Sequence, residues 1–339
     1  MKFSHKLMHN NFSKSDFDAV IRFLKDKNVS DKILTQSVNV KKFEQRWSNW
    51  LGIKYSLFVN SGSSANFLTL SALQFLKGKG EVIVPSLTWV SDIVSVIKNG
   101  FKPVFVDINP KNLCMAEDEV IKKINKKTKA VFLTHIQGFN GLSKNLLNVL
   151  KKKKIILIED VCESHGATFR GKKLGTFGKI SNFSFYYAHH MSTIEGGMVC
   201  TNDKKIYEYL RMMRSHGLLR ESQNKSFERK IISNNPRLSP QFIFLHPGYN
   251  FRNTEIGAII GINQLKSLNK NNKKRKNNFK LFLKHIDKNF YRTDYDLKGS
   301  CNYAFPVTLK KASFKNRNAL ERSLIKNNIE FRRGNVGGG

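Results

Sequence analysis

The sequence lacks any uninterrupted apolar run of about 18 residues, the length that a membrane-spanning helix needs. Its first stretch, residues 1–11, also lacks the apolar centre of a secretory signal peptide. We therefore expect no membrane span and no membrane partner, and we expect the protein to act in the cytoplasm.

Cysteine is scarce, and no two cysteines form a CxxC pair or another spacing typical of metal ligands. The four cysteines are Cys114, Cys162, Cys200 and Cys301. We therefore expect neither a zinc nor an iron–sulfur site. Isolated thiols in apolar runs, such as Cys200 after Met198-Val199, are typical of core residues in a reducing compartment.

Acidic residues are few: 25 of them stand against 59 lysines and arginines, so the net charge is +34. Such a charge favours polyanionic partners, nucleic acids among them. The lysines are nevertheless spread along the whole chain with many Asn, Ile and Phe, residues that share AT-rich codons. Genome composition is therefore the alternative explanation. Because no RNA- or DNA-binding motif occurs, we expect no nucleic-acid partner, although a diphosphate-bearing substrate would be attracted.

The composition is that of a globular protein, with 40% hydrophobic and 25% charged residues. Apolar runs of strand length recur in the first half, separated by helical patterns. The runs are residues 55–59, 81–84, 102–106, 130–134 and 155–159. This alternation predicts an α/β fold with a mostly parallel sheet covered by helices on both faces. Ligands of such sheets bind beyond the carboxyl ends of the strands, so the residues that follow each run are site candidates.

A long helix is predicted over residues 254–286, apolar at its start and lysine-rich afterwards. We interpret it as the link between a large domain, residues 1–265, and a small α+β domain, residues 266–339. In the small domain we expect a strand at residues 303–309 and a helix at residues 313–327. The chain stops after three glycines without a closing element, so we expect the small domain to be incomplete; a flexible end is the alternative.

The first motif, Asn60-Ser61-Gly62-Ser63-Ser64-Ala65-Asn66, follows a predicted strand and opens a predicted helix. Glycine allows close approach of the backbone, and the unpaired N–H groups of a helix start, with serine hydroxyls beside them, suit a phosphate. The same residues also make a good helix N-cap. Both interpretations stay open.

The second motif, Glu159-Asp160-Val161-Cys162-Glu163-Ser164-His165-Gly166, comes directly after another predicted strand. A carboxylate in this position can pair with a protonated pyridine nitrogen, which makes the pyridine ring an electron sink. A helix-capping role for Asp160 is the alternative.

The third motif places two adjacent histidines, His189 and His190, between the aromatic run Phe185-Tyr186-Tyr187 and the turn at Gly196-Gly197. This arrangement is hard to explain as core filling. Metal ligation is disfavoured, since adjacent histidines point apart on a strand and no third ligand is evident. The fourth motif, Gly248-Tyr249-Asn250-Phe251-Arg252-Asn253, leads into the long helix.

In order and spacing, the four motifs resemble the nucleotide-sugar aminotransferase family of fold type I pyridoxal-phosphate enzymes, over nearly the whole chain. The resemblance implies an aspartate-aminotransferase-like fold with a large and a small domain. It implies pyridoxal 5'-phosphate, or its amine form pyridoxamine 5'-phosphate, as cofactor, and a homodimer with shared active sites. It also implies that Trp89 stacks on the cofactor ring, as the π-face of an aromatic ring favours.

The same resemblance implies how the cofactor is held. Gly62, Ser63 and Ser184 would bind its phosphate, and Asn250 would reach that phosphate from the neighbouring subunit. Asp160 would pair with the pyridine nitrogen.

Position 189 departs from the aminotransferase pattern. Family aminotransferases carry there the lysine that forms a Schiff base with the cofactor, whereas this chain has His189 and no lysine between Lys179 and Lys204. The segment Tyr187-Ala188-His189-His190-Met191 resembles instead the branch of GDP-4-keto-6-deoxymannose 3-dehydratases. Glu163 supports this resemblance, since aminotransferases usually have glutamine at its position, and it is expected among the cofactor-binding residues.

That branch implies removal of the C3 hydroxyl from a nucleotide-linked 4-keto-6-deoxyhexose, with glutamate as amino donor, in the synthesis of deoxysugars for surface polysaccharides such as lipopolysaccharide. Histidine forms no stable imine with an aldehyde but is a good base near neutral pH, so His189 is the expected base. A sugar aminotransferase and an iron–sulfur-dependent CDP-sugar 3-dehydratase are the alternatives.

Two further stretches are expected to border the substrate. His216, in Arg214-Ser215-His216-Gly217, is expected near the C3 side of the sugar as a second catalytic histidine; a surface histidine before a glycine cap is the alternative. Residues 332–335 lie where the small domain of the family approaches the substrate.

Overall fold

The computed structural model describes residues 3–333. Within that range nine strands form. They are β1 Tyr55–Val59, β2 Glu81–Pro85, β3 Lys102–Val106, β4 Thr128–Thr134, β5 Ile156–Asp160, β6 Thr168–Phe169, β7 Lys172–Lys173, β8 Ile180–Ser184 and β9 Gly197–Thr201. The strands β6 and β7 make a two-stranded hairpin, and the other seven build the central sheet.

Ten α-helices surround this sheet in the described part of the chain. They are α1 Lys14–Leu24, α2 Val38–Leu51, α3 Gly62–Lys77, α4 Val90–Lys98, α5 Glu117–Lys123, α6 Lys144–Lys152, α7 Lys204–Arg214, α8 Lys225–Asn234, α9 Glu255–His285 and α10 Phe314–Lys326. No helix among the described residues has the length and hydropathy that crossing a membrane requires.

The central sheet has the strand order β1-β9-β8-β5-β4-β2-β3. From β8 to β3 every neighbouring pair is parallel, while β9 runs antiparallel to both β1 and β8. The predicted α/β class and mostly parallel sheet are confirmed. The five predicted strands are present, with ends shifted by at most two residues.

Neighbouring residues of β1 show that the sheet is covered on both faces. Phe58 packs in one buried cluster with Phe43 and Trp47 of α2, whereas Leu57 and Val59 belong to another cluster, formed with α3 and α7. Since successive side chains of a strand point to opposite faces, the two clusters lie on opposite sides of the sheet. The carboxyl ends of the parallel strands are the edge at which the motif residues gather.

The prediction of a strand at residues 303–309 is wrong. Only Leu309 forms an isolated bridge, to Tyr291, and Arg292 N–H donates to the Thr308 carbonyl at 2.8 Å. A ladder needs an extended partner strand, and Pro306 has no N–H to donate to one. The helix predicted at residues 313–327 is present as α10.

The division into two domains stays a prediction. Helix α9 runs unbroken through residue 265, the predicted boundary. The glycine-rich end at residues 337–339, and Gly334 and Asn335 of the expected substrate-facing segment, lie outside the described residues.

Candidate active site

The start of α3 meets the end of β8 at Gly62. A Cβ atom on Gly62 would lie 2.6 Å from the Cβ of Ser184, so only glycine permits this approach. Ser61 caps the helix by accepting from the Ser64 N–H at 3.0 Å, while the N–H groups of Gly62 and Ser63 have no acceptor within the helix. The cap and the phosphate interpretation therefore coexist: the free N–H groups lie beside the Ser184 hydroxyl, a donor set that suits a phosphate.

The Gly-Gly turn before β9 serves the same close packing. A Cβ on Gly197 would lie 2.2 Å from the Ser61 carbonyl oxygen, and one on Gly196 would lie 2.2 Å from Oγ1 of Thr193. Larger residues at either position would push the turn away from the start of α3.

Asp160 is the last residue of β5, and its carboxyl group is buried. Its Oδ1 accepts from the Cys162 N–H at 2.8 Å, and its Oδ2 accepts from Nδ2 of Asn66 at 3.1 Å. No helix follows Asp160 before α7, so the helix-capping alternative is not realised. Each carboxylate oxygen has a second lone pair, which leaves room for a positively charged partner such as a pyridinium N–H.

His189 lies in the loop between β8 and β9. The Phe185 N–H donates to the Gly196 carbonyl at 2.8 Å and so closes the base of this loop. Within the loop, the His189 N–H donates to the Tyr186 carbonyl at 3.0 Å. The imidazole Nδ1 is buried and has no hydrogen-bond partner among the described residues. It is an orphaned polar atom, the kind of group that a ligand satisfies.

The adjacent histidines differ in their partners. Nε2 of the buried His190 lies 2.9 Å from the Cys301 carbonyl, so this ring is tied to the structure. Burial, together with the positive charge of Arg275, lowers the pKa of His189 to about 3, and its imidazole is therefore neutral. Within residues 3–333 no three His, Cys, Asp or Glu side chains are grouped as metal ligands would be.

Glu163 lies in the loop between β5 and β6 and is held by the loop that follows β4. Gln137, at a φ of 53°, donates its N–H to Oε2 of Glu163 at 2.7 Å. Burial is the main cause that raises the pKa of Glu163 to about 8, and the charge of Asp160 adds to it, whereas the Gln137 N–H and Arg332 act in the opposite direction. A carboxyl group that is mostly protonated at neutral pH can donate a hydrogen bond to a bound ligand.

Two further predicted residues, Trp89 and Asn250, are both exposed. Trp89 is 45% exposed immediately before α4, so its ring is free to cover a ligand. Asn250 lines a cleft of about 540 Å³ together with Ser63 and Ser64.

His216 belongs with Asn250. Ser215 and Asn250 form a β-bridge, and the His216 N–H donates to the Tyr249 carbonyl at 3.0 Å. The His216 side chain is exposed, and its backbone has a φ of 61°. A role for His216 is therefore tied to whichever active site Asn250 serves.

Sequence reasoning missed two neighbours of His189. The Tyr303 ring packs on the imidazole, with ring centroids 5.4 Å apart, and Arg275 donates to the Tyr303 carbonyl at 3.1 Å. Arg275 was hidden within a lysine-rich run, but it continues the spacing of buried residues along α9 set by Leu268, Asn272 and Phe279. That spacing is the signal that distinguishes it from the solvated lysines.

Comparison with known proteins identifies relatives. The pattern of the DegT/DnrJ/EryC1/StrS aminotransferase family matches residues 16–333. GDP-4-keto-6-deoxy-D-mannose 3-dehydratase of Escherichia coli O55:H7 is 34% identical over 310 residues, which are 90% of this chain and 80% of that protein. GDP-perosamine synthase of Escherichia coli O157:H7 is 33% identical over 226 residues, 67% of this chain and 57% of that protein.

A solved structure gives the same result in three dimensions. The E. coli GDP-4-keto-6-deoxy-D-mannose-3-dehydratase with bound hydrated PLP is similar with a TM-score of 0.85 at 30% identity. The similarity covers 98% of this chain and 85% of that chain. The resemblance drawn from the four motifs is thereby confirmed at the level of the family and of its fold.

Proposed function

The chain belongs to the DegT/DnrJ/EryC1/StrS aminotransferase family, and from this membership and the histidine at position 189 we propose that it is a nucleotide-sugar 3-dehydratase, a lyase. The reaction is removal of the C3 hydroxyl from a nucleotide-linked 4-keto-6-deoxyhexose, with glutamate as amino donor. One observation carries the proposal: His189, with an unpartnered Nδ1, lies in the β8–β9 loop, and no lysine occurs between Lys179 and Lys204.

The cofactor is pyridoxal 5'-phosphate, used with its amine form, pyridoxamine 5'-phosphate, and when bound it supplies an electron sink for bond breaking next to a carbonyl carbon. Gly62 and Ser63 direct helix N–H groups at the phosphate, and the Ser184 hydroxyl adds a further donor. Asp160 holds a proton at the ring nitrogen through its second lone pairs. Trp89 covers the open face of the ring.

His189 takes up the proton that must leave for the C3 hydroxyl to be expelled. A neutral imidazole has one unprotonated ring nitrogen that can take up a proton, and it cannot form the lasting covalent link to an aldehyde that a lysine amine forms. Protonated Glu163 is able to donate a hydrogen bond to the bound ligand. The result is a site that removes hydroxide and does not retain the amino group.

Amino transfer to the sugar is the second candidate, because GDP-perosamine synthase is among the relatives. The missing lysine argues against it, since that amine shuttles the proton in transamination. The two reactions also differ in the fate of nitrogen: dehydration releases ammonia, and transamination leaves nitrogen in the sugar.

We propose a homodimer with shared active sites. Side chains of α4 and its neighbourhood form an exposed apolar surface beside the cleft that contains Asn250, and its members are Trp89, Val90, Val94, Ile97 and Tyr249. A surface of this kind is typical of subunit contacts. In such a dimer Asn250 and the neighbouring His216 would reach the cofactor phosphate and the sugar of the partner subunit.

The proposed setting is deoxysugar synthesis for surface polysaccharides in the cytoplasm. The buried thiols of Cys114 and Cys200 are free, as a reducing compartment keeps them.

The test is incubation of the full chain with pyridoxal phosphate, glutamate and a panel of GDP- and CDP-linked 4-keto-6-deoxyhexoses, followed by mass spectrometry of the sugars. We expect a 3-deoxy-4-keto product from at least one member. An amino sugar as the main product would replace the proposal with transamination. A binding protein would leave every member unchanged.

A further inference from the structure

Asp92, in α4, is a second buried carboxyl group beside Asp160. The proposed reaction assigns no role to Asp92. Its side chain is 0% exposed. Asn66 joins the two carboxyl groups: its Nδ2 lies 2.6 Å from Oδ1 of Asp92 and 3.1 Å from Oδ2 of Asp160. The two acids therefore belong to one hydrogen-bonded unit.

The orientation of Asn66 is set from its other side. Its Oδ1 accepts from Nδ2 of Asn182 at 2.9 Å, and Oδ1 of Asn182 accepts from the Thr69 hydroxyl at 2.6 Å. This chain of bonds turns the NH₂ group of Asn66 towards both acids. Asn66 is thus a fixed donor to the carboxyl pair.

The pair has no cationic partner in the part of the chain that the structure describes. Among residues 3–333 neither Asp92 nor Asp160 forms an ion pair with a lysine, arginine or histidine. Ionising both of two adjacent carboxyl groups that are buried without a cation is strongly unfavourable in free energy, because the two negative charges repel each other and are shielded from water. One of them must therefore hold a proton.

The surroundings identify Asp92 as the protonated member. Burial first, and then the charge of Asp160, raise the pKa of Asp92 well above its usual range. The hydroxyls of Thr88 and Thr134 donate to its Oδ2 at 2.5 and 2.7 Å and lower its pKa, but their effect is smaller than that of burial and of the Asp160 charge. The other titratable group that faces it, the Cys162 thiol, also has a raised pKa and adds no positive charge. Contact with the Asp160 carboxyl group adds to this rise in the pKa of Asp92.

We propose that Asp92 is a positioning residue for the cofactor ring nitrogen, a permanently protonated acid that donates, with Asn66, to Asp160. This rests on the proposed place of Asp160 opposite the nitrogen. Donors aimed at a carboxylate stabilise its charged form. Asp160 therefore remains the single negative charge at the end of β5. The proton between Asp160 and the ring nitrogen then stays on the nitrogen, as the electron sink requires.

Two variants separate this role from simple packing. Asp92→Asn keeps the size, the neutrality and most of the hydrogen bonds, whereas Asp92→Val keeps only the approximate volume. We expect Asp92→Asn to bind pyridoxal phosphate within about threefold of the parent, and Asp92→Val to bind about tenfold more weakly, the value of one lost bond to a charged group. In Asp92→Val the pH profile of the bound cofactor's absorbance should also shift, because Asp160 without this donor is more basic and draws the proton away from the ring nitrogen.

Several outcomes overturn the role of Asp92. Equal impairment of both variants would mean that Asp92 acts as an anion, and equal binding and identical pH profiles in parent and Asp92→Val would mean that it only fills space. An infrared difference spectrum, parent holoenzyme minus Asp92→Asn at neutral pH, tests the proton directly and does not depend on the folding of the valine variant. We expect a protonated-carboxyl band in this spectrum, and its absence refutes the proposal.

Asp160→Asn serves as the reference. If Asp160→Asn shifts the pH profile of the cofactor absorbance and Asp92→Val does not, only the inference about Asp92 fails. If Asp160→Asn leaves the profile unchanged as well, the placement of Asp160 opposite the ring nitrogen fails instead.

Discussion

The imidazole of His189 packs against the phenol ring of Tyr303, with ring centroids 5.4 Å apart and ring planes inclined by 36°. The two residues are far apart in the chain, and Tyr303 comes from the segment that follows α9. The proposed base is therefore positioned by the C-terminal part of the protein as well as by its own loop.

This contact predicts that the ring of Tyr303, and not its hydroxyl, orients His189. We expect Tyr303→Phe to retain turnover within about twofold, and Tyr303→Ala to lose about tenfold or more because the imidazole is no longer held in a reactive position. Steady-state kinetics with the sugar substrate measure both variants. A large loss in Tyr303→Phe, with the thermal midpoint unchanged, would instead assign a function to the hydroxyl.

The raised pKa of Glu163 predicts that the stability of the folded protein depends on pH. Its pKa is about 8 in the folded protein against an ordinary value of 4.5, so the folded state holds a proton that the unfolded state has released. Its contribution to folding is therefore fully present below pH 4.5 and is lost as the pH rises to about 8. We expect Glu163→Gln, which cannot ionise, to gain stability over the parent progressively across this window.

Thermal unfolding of the cofactor-free proteins at a series of pH values checks this expectation. Glu119→Gln, on the surface helix α5, is the matched control, and its difference from the parent should not follow the same curve. A stability difference for Glu163→Gln that is constant with pH would contradict the raised pKa.

The parts of the fold that can be predicted from the sequence are those in which the local residue pattern agrees with the burial of the segment in the structure. β4 is an apolar run that ends up buried, so its composition was sufficient to find it. The segment at residues 303–309 has strand composition too, but strand formation depends on a neighbour that the local sequence does not reveal.

The candidate site divides in the same way. Gly62 and Asp160 follow predicted strands, and parallel-sheet topology alone brings them to one edge. The contacts of Asn66 to Asp92 and Asp160 join residues 26 and 94 positions apart. Such pairings depend on packing in three dimensions, and no spacing rule reveals them.

Asp160→Asn should separate catalysis from folding. The amide keeps the size of the side chain but loses the charge that pairs with the ring nitrogen, a loss of about 3 kcal/mol, or about a hundredfold in turnover. We expect the thermal midpoint to fall by only a few degrees, about 1 kcal/mol or less. Activity and thermal unfolding of the variant, measured in parallel, test this expectation. Proportional losses in both would mean that Asp160 has a structural role.

His216→Asn should affect one half of the reaction. If His216 faces the sugar, as its link to Asn250 favours, the variant should slow the sugar half-reaction by about tenfold or more. The glutamate half-reaction should keep its rate. Single-turnover absorbance measurements follow each half separately. Equal slowing of both halves would indicate general damage, and no slowing would leave His216 as a surface residue.

The fate of the glutamate nitrogen tests the central role of His189 most directly. With isotope-labelled glutamate and an accepted 4-keto-6-deoxy nucleotide sugar, the parent should release the label as ammonia in equal amount to the 3-deoxy product. His189→Lys, assayed in parallel, should lose most of this release and become covalently linked to the cofactor, a link that borohydride reduction traps for peptide mass spectrometry. Label found in the sugar made by the parent, or ammonia release by His189→Lys at the parental rate, would contradict the account.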